Sequence, residues 1–158
     1  MSMYAVNCSV PKTLVRHIVE SCAKKSKGKL KAVLSDILDT PVSPELLPAE
    51  NDNIAQKTED IVGPYILHDF FLYNMLRKGY EPKKLYYIAC KTFKGDFSKE
   101  TILKWLKIFT RRFFNQQFKR SCLPDGVKVG TVALSPRGEF KMPSDACSDL
   151  WLKQLEEI

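Results

Sequence analysis

The chain has 158 residues, which fits one domain with a hydrophobic core of its own, and we expect a single domain over residues 1–158. Its composition is that of a globular protein, and its formal net charge of +7 favours anionic partners such as nucleotides, nucleic acid or acidic membranes. The sequence contains neither an apolar run of about 18 residues nor a signal-peptide pattern, so we expect a cytoplasmic protein that does not bind a membrane.

The first predicted helix follows Pro11, since proline is tolerated in a first helical turn. Apolar residues then recur at helical spacing, and a lysine-rich run that ends at Gly28 suits a helix C-terminus and its cap. Lys12 lies in the first turn, where a cation opposes the helix dipole. The pattern leaves two alternatives for Lys12: a solvated side chain without a role, or a contact with a bound anion.

The second predicted helix has an apolar stripe from Leu30 to Leu38 and ends before Pro41, because a residue that precedes proline avoids the helical region. The next segment, Pro41–Gln56, carries three prolines and polar residues without a period. We predict an ordered loop or a mobile lid there, rather than a domain boundary. Ser43 and Glu45 are its candidate functional residues.

Three further helices are predicted in the middle of the chain. The first runs from Tyr65 to about Lys78, and the second begins at Glu81-Pro82. The third and longest runs from Lys99 to about Phe118, with Ser98 as its N-cap. The apolar residues of all three recur at helical spacing and predict a shared core.

The longest predicted helix also carries a basic face formed by Lys104, Lys107 and Arg111. Aromatic residues interleaved with cations occur in proteins that bind nucleic acid. Here the aromatic residues keep the helical period and the cations lie on the opposite face. The pattern therefore favours a core face and a solvated face over a nucleic-acid site.

A cationic segment, Gln116–Gly138, follows this helix and carries Lys119, Arg120, Lys128 and Arg137 beside turn residues. Cations next to glycine suit a polyanion held against the backbone, and a surface hairpin with solvated charges is the alternative.

The stretch Lys128–Lys141 alternates as a β-strand does, and Ser144 with Asp145 is predicted to cap a last helix. The predicted fold class is mainly α, a helical bundle with one β-hairpin or extended arm.

The five cysteines are scattered without a CxxC pair, and the chain has only two histidines. This pattern does not predict a metal site, and we expect reduced, mostly structural thiols. Cys122 lies in the cationic segment, where neighbouring charge would lower a thiol pKa. No nearby sequence feature supplies a base for it, so we do not assign it as a nucleophile.

Four stretches resemble the C-terminal part of glutamine-dependent NAD synthetase in its long bacterial form: VPKTL from Val10, LDTPVSPELL from Leu38, QKTEDIVGPYILHDFF from Gln56, and Gln116–Asp145. The resemblance covers nearly the whole chain. It implies the C-terminal part of an α/β synthetase domain of the ATP-pyrophosphatase type, which is like the adenine nucleotide alpha hydrolases.

The reaction implied by the resemblance joins ammonia to nicotinic acid adenine dinucleotide. ATP, with Mg²⁺, adenylates the nicotinate carboxylate, and ammonia released from glutamine then displaces AMP. The chain lacks the family's Ser-Gly-Gly-x-Asp-Ser loop and its nitrilase-like glutaminase. We therefore expect an isolated chain that cannot make NAD, in an enzyme that is a homo-oligomer at full length and binds no nucleic acid.

The resemblance also implies roles for residues that bind substrate. Lys119, with Arg120 beside it, matches the family lysine that contacts the dinucleotide. Lys12 matches a lysine near the ATP phosphates. Ser43, before Glu45, matches the hydroxyl of the loop that closes on the adenylate.

Glu139 is the candidate catalytic residue that the resemblance implies. It stands where the family usually has an aspartate associated with the ammonia route, within a Ser-Pro-Arg-Gly-Asp-Trp run that reads SPRGEF here. Glutamate keeps the negative charge of the aspartate but has a longer side chain.

The residue pattern alone leaves two competing interpretations. One is a basic module that binds nucleic acid or a protein without catalysis, whose affinity for nucleic acid would fall steeply with salt. The other is a structural or oligomerisation segment of a longer enzyme, because the apolar faces of the helices exceed what a small bundle needs.

Overall fold

The structure is a computed structural model that describes residues 7, 9–40, 58–124, 126–135 and 139–158. The described residues form helices α1 (Lys12–Lys25), α2 (Gly28–Asp39), α3 (Thr58–Val62), α4 (Tyr65–Lys78), α5 (Pro82–Thr92), α6 (Lys99–Asn115), α7 (Gln117–Ser121) and α8 (Asp149–Glu156). No helix among them is long and apolar enough to cross a membrane. The mainly helical class predicted from the sequence is confirmed.

The predicted β-hairpin is not found in the described part of Lys128–Lys141, where no residue is in a strand. We call the described residues 126–135 and 139–142 the arm. The N–H groups of Val129 and Gly130 donate to the Oγ of Ser9, at 3.0 and 2.8 Å. A side chain from the start of the chain therefore takes the amides that a partner strand would need.

Three helix boundaries also differ from the prediction. The longest helix, α6, ends at Asn115 rather than near Phe118, and α7 follows as a separate short helix after Gln116. The last helix, α8, begins at Asp149, beyond the cap predicted at Ser144 and Asp145. Gly28, expected as a cap for the first helix, instead opens α2.

One compact unit comprises Met1–Val10 and Leu67–Ile158, and its core is rich in aromatic side chains. Helices α4, α5, α6 and α8 supply the core, and its fully buried side chains include Leu67, Phe71, Leu85, Ile102, Leu106 and Leu155. Ser98 caps α6 as predicted, because its Oγ accepts the N–H of Thr101 at 3.2 Å.

The second compact unit, Pro11–Ile66, is built on the packing of α1 against α2. A guanidinium nitrogen of Arg16 donates to the carbonyl of Leu38 at 2.8 Å, which ties α1 to the last turn of α2. Ala23 is the one buried hydrophobic residue in the described part of this unit. Large apolar side chains on both helices therefore remain exposed.

Candidate functional site

Arg120, predicted to bind substrate, lies inside its own unit at 9% exposure. Its Nε donates to Oε1 of Gln117 at 2.7 Å, and another guanidinium nitrogen donates to the carbonyl of Phe113. The guanidinium carbon also lies 4.2 Å from the ring centroid of Phe113. Arg120 therefore joins α7 to the C-terminal end of α6 through charge-assisted hydrogen bonds.

Gln117 extends this network to the arm. It is 1% exposed, and its Nε2 donates to the carbonyl of Met142 at 2.8 Å. Phe140 packs its ring on Phe113 at 5.3 Å between centroids. The buried network thus holds the end of the arm against α6 and α7.

Burial lowers the pKa of the Arg120 guanidinium, because desolvation disfavours the charged form. A guanidinium still remains protonated at any working pH. Arg120 is therefore a buried, permanent cation whose hydrogen bonds go to the protein's own groups.

Lys119, the neighbouring candidate, lies in a different environment. It is exposed on α7, and its backbone N–H donates to the carbonyl of Gln116 at 3.1 Å. Lys119 keeps an ammonium group accessible to an anionic ligand. The adjacent pair that the sequence predicted is thus divided into one exposed and one buried cation.

Glu139, the candidate catalytic carboxylate, forms an ion pair with Lys128 across the arm. Both side chains are about 40% exposed. The N–H of Glu139 donates to the carbonyl of Ser135 at 3.2 Å. The pair brings Lys128 of the cationic segment together with Glu139, which directly follows that segment.

Lys12 lines a cavity of about 670 Å³ in the second unit. Its lining includes the polar residues Thr13, Arg16, Asp39, Thr40, Glu59 and Tyr65. Glu59 accepts the backbone N–H of Tyr65 at 2.9 Å, which fixes one wall. The volume is in the range of small-molecule and cofactor pockets, and two cations on α1 border it.

A smaller cavity of about 440 Å³ in the first unit is almost entirely apolar. It is lined by aromatic and methionine side chains of α4, α6, α8 and the arm, with Lys141 and Glu81 among its polar lining residues.

Ser43 and Glu45 lie outside the described residues. Within the described ranges, no three His, Cys, Asp or Glu side chains are grouped so that they could hold a metal ion.

Sequence reasoning missed three residues of these sites: Ser9, Arg16 and Gln117. Each acts through a partner far away in sequence, at separations of 121, 22 and 25 residues. No local pattern marks such residues, since a single serine, arginine or glutamine is common on any surface.

Comparison with curated proteins gives long matches. The chain is 38% identical to a glutamine-dependent NAD(+) synthetase from Mycobacterium leprae over 99% of its own length, and 39% identical to the one from Mycobacterium tuberculosis over the same share. It spans 26% of the length of each relative, in a C-terminal portion. No protein-family model matches the chain.

Comparison with solved structures agrees on the fold. The chain aligns with the crystal structure of a glutamine-dependent NAD(+) synthetase from Cytophaga hutchinsonii with a TM-score of 0.67. That alignment covers 97% of this chain and 22% of the other, at 17% identity. The chain shares the fold of that part of the synthetase.

Proposed function

We propose that this chain, which matches a C-terminal portion of glutamine-dependent NAD(+) synthetases over almost its whole length, supplies part of the active site of such a ligase. The observation that carries the proposal is the 38–39% identity that extends over 99% of the chain. The reaction is the ATP-dependent amidation of nicotinic acid adenine dinucleotide, with ammonia from glutamine.

Lys12 and the cavity beside it supply the contact with ATP phosphates in this proposal. The cavity volume of about 670 Å³ is large enough for a nucleotide portion, and Lys12 and Arg16 are the cations of a lining that also contains the carboxylates of Asp39 and Glu59. The ammonium of Lys12 would lower the energy of the charge that develops on the phosphoryl group during adenylation. Ser43 and Glu45 are proposed to contribute from the part of the chain that follows α2.

Lys119 supplies the contact with the dinucleotide substrate. Its exposed ammonium is available to a pyrophosphate oxygen, whereas the neighbouring Arg120 donates its hydrogen bonds to Gln117 and Phe113. We therefore assign direct binding to Lys119 and assign Arg120 the role of holding α7 in position beside the substrate.

Glu139 is proposed to act on the ammonia route. A carboxylate attracts ammonium and can accept a proton as the neutral amine forms, which general acid–base catalysis requires. Its ion pair with Lys128 holds the carboxylate in one orientation.

ATP is used as a magnesium complex in this class of adenylation, and the metal neutralises phosphate charge. The described residues offer no grouped set of acidic or imidazole ligands. We therefore propose no Mg²⁺ ligand among the described residues, and the metal enters with ATP in the complete enzyme.

A reconstitution assay tests the proposal. This chain is mixed with the separately expressed upstream portion of a matching synthetase, ATP, Mg²⁺, nicotinic acid adenine dinucleotide and ammonium, and NAD formation is followed. We expect NAD only when both pieces are present. NAD made by this chain alone would refute the prediction that it is inactive, and no NAD from two folded pieces that co-elute as a complex would contradict the proposed function.

A further inference from the structure

We propose that Ser9 is a positioning residue that fixes the Lys128–Glu139 ion pair from the opposite end of the chain. The contact between Ser9 and the arm is argued from geometry alone, and only the part of the inference that concerns ammonia rests on the proposed function. No sequence pattern described above assigns a role to Ser9.

In this contact a single side-chain oxygen, the Ser9 Oγ, accepts hydrogen bonds from two backbone amides. The Ser9 Oγ accepts the N–H of Val129 at 3.0 Å and the N–H of Gly130 at 2.8 Å. A hydroxyl oxygen has two acceptor lone pairs, so both hydrogen bonds can form together. Two successive backbone amides of the arm are thereby fixed to a residue 121 positions earlier.

The backbone of Ser9 supports a specific role. Its φ is 68°, and it is the one described residue other than glycine with a positive φ. This left-handed conformation is costly for a residue with a Cβ, whereas glycine adopts it readily. A glycine at this position would remove the strain but would also remove the acceptor, so the hydroxyl offsets the cost of the conformation.

Gly130 is the matching residue on the arm. A Cβ added there would lie 3.0 Å from the backbone oxygen of Ser9, which is tighter than nine in ten real Cβ contacts and would push the two backbones apart. The missing side chain lets the two backbones come together at hydrogen-bonding distance. The Ser9 hydroxyl therefore supplies the acceptor, and the absence of a side chain at Gly130 leaves room for the close approach.

The contact acts on the ion pair because Val129 directly follows Lys128. When the amides of residues 129 and 130 are fixed, the Cα of Lys128 is fixed as well. Lys128 then pairs with Glu139. Glu139 is followed by Phe140, whose ring packs on Phe113. The carboxylate is thus held from two directions, by the core through Phe140 and by Ser9 through Lys128.

The first test is amide hydrogen exchange in the isolated chain. Ser9→Ala and Ser9→Gly both remove the acceptor, but only Ser9→Gly also relieves the strained φ. We expect exchange at Val129 and Gly130 to become about tenfold faster in both variants. Ser26→Ala is the control, because the Ser26 hydroxyl donates to the carbonyl of Cys22 at the C-terminal end of α1. Unchanged exchange in both Ser9 variants would overturn the contact.

A second measurement separates positioning from general destabilisation. The carboxyl carbon of Glu139 gives an NMR signal that should shift when Lys128→Met removes its partner. We expect this shift to be lost when Ser9 is already replaced by glycine, because the pair no longer forms. An equal shift with and without Ser9 would overturn the positioning role.

The kinetic consequence is measured in the reconstituted enzyme. Ser9→Gly should raise the KM for ammonium several-fold and leave the KM for the dinucleotide unchanged, because only the Glu139 region is released. Equal changes in both KM values would overturn the ammonia part of the inference. If no NAD forms even when the unaltered chain and the folded upstream portion co-elute as a complex, the proposed function fails, while the exchange and NMR results still decide the Ser9 contact.

Discussion

The two compact units of the chain contain similar apolar residues but use them differently. In the unit that contains α5 to α8, large side chains of several helices pack into one core, and Leu106 and Phe71 are fully buried. In the unit that contains α1 and α2, Leu30 is 57% and Ile37 is 54% exposed. The first unit has a core of its own, whereas the described part of the second unit has an apolar surface.

This difference explains why the candidate residues have such different surroundings. Arg120 lies in the unit with the dense core, and its charge is used to join elements of the fold. Lys12 lies in the unit with little buried surface, beside a cavity lined by polar side chains. Arg120 is thus a structural group in one unit, whereas Lys12 is an exposed group in the other.

The largest expected effect comes from matched leucine substitutions in the two units. Leu106→Ala should lower the free energy of unfolding by about 3 kcal/mol, because it removes a fully buried side chain and leaves a cavity. Leu30→Ala should change it by less than about 0.5 kcal/mol, since this side chain is already mostly exposed. Denaturant unfolding followed by circular dichroism measures both.

Both tryptophans, Trp105 and Trp151, lie in the unit with the dense core, so their fluorescence reports on that unit. An equal loss of stability in the two leucine variants would remove the contrast between the units.

Arg120→Met should give the next largest effect. The substitution leaves the acceptor groups of Gln117 and Phe113 without their donor, which should cost about 2 kcal/mol. Lys119→Met is the matched control on the same helix and should stay within about 0.5 kcal/mol of the unaltered chain, because Lys119 is exposed.

Arg120→Lys should not restore the stability, because an ammonium group cannot reproduce the planar donors of a guanidinium. Stability equal to that of the unaltered chain in Arg120→Met would contradict the structural role.

Ser98→Ala tests a smaller contribution to the stability of the unit with the dense core. It removes the oxygen that accepts the N–H of Thr101 at the start of α6, and we expect a loss of about 1 kcal/mol. Ser98→Asp keeps a capping oxygen and should retain the stability. Thermal or denaturant unfolding distinguishes them, and an equal loss in both variants would argue against the cap.

The smallest effect concerns pH in the other unit. Lys24, whose Nζ lies 2.8 Å from Oε1 of Glu20, lowers the pKa of that carboxyl. A lowered pKa in the folded state stabilises α1 above the unfolded pKa, and this contribution is lost as the pH falls through the folded pKa. The protection factors of the α1 amides, which correct for the intrinsic pH dependence of exchange, should therefore fall more on acidification in the unaltered chain than in Glu20→Gln. Identical pH profiles would rule out the contribution.

Local sequence patterns predicted the features that depend on neighbouring residues. The spacing of apolar residues predicted the main helices. Ser98 was predicted as the N-cap of α6, and it caps that helix in the structure. The resemblance carried by irregular motifs such as VPKTL was confirmed by the match over 99% of the chain. Lys12 was predicted as a first-turn cation, and it borders the larger cavity.

Features that depend on distant partners could not be predicted. Arg120 looks like a surface cation in the sequence, and its burial follows from the packing of Phe140 and Met142 against α6 and α7. The predicted strand at Lys128–Lys141 was wrong in its described part, because the amides of Val129 and Gly130 donate to Ser9. Alternation of side chains does not reveal a competing acceptor elsewhere in the chain.

The contrast between exposed and buried cations leads to the most direct test of the proposed active site. The reconstituted enzyme should lose most of its NAD formation with Lys119→Ala, through a higher KM for nicotinic acid adenine dinucleotide. Lys94→Ala, an exposed lysine outside the cationic segment, should leave the rate unchanged. Equal rates for the unaltered, Lys119→Ala and Lys94→Ala enzymes would contradict the claim that this chain supplies part of the synthetase active site through α7.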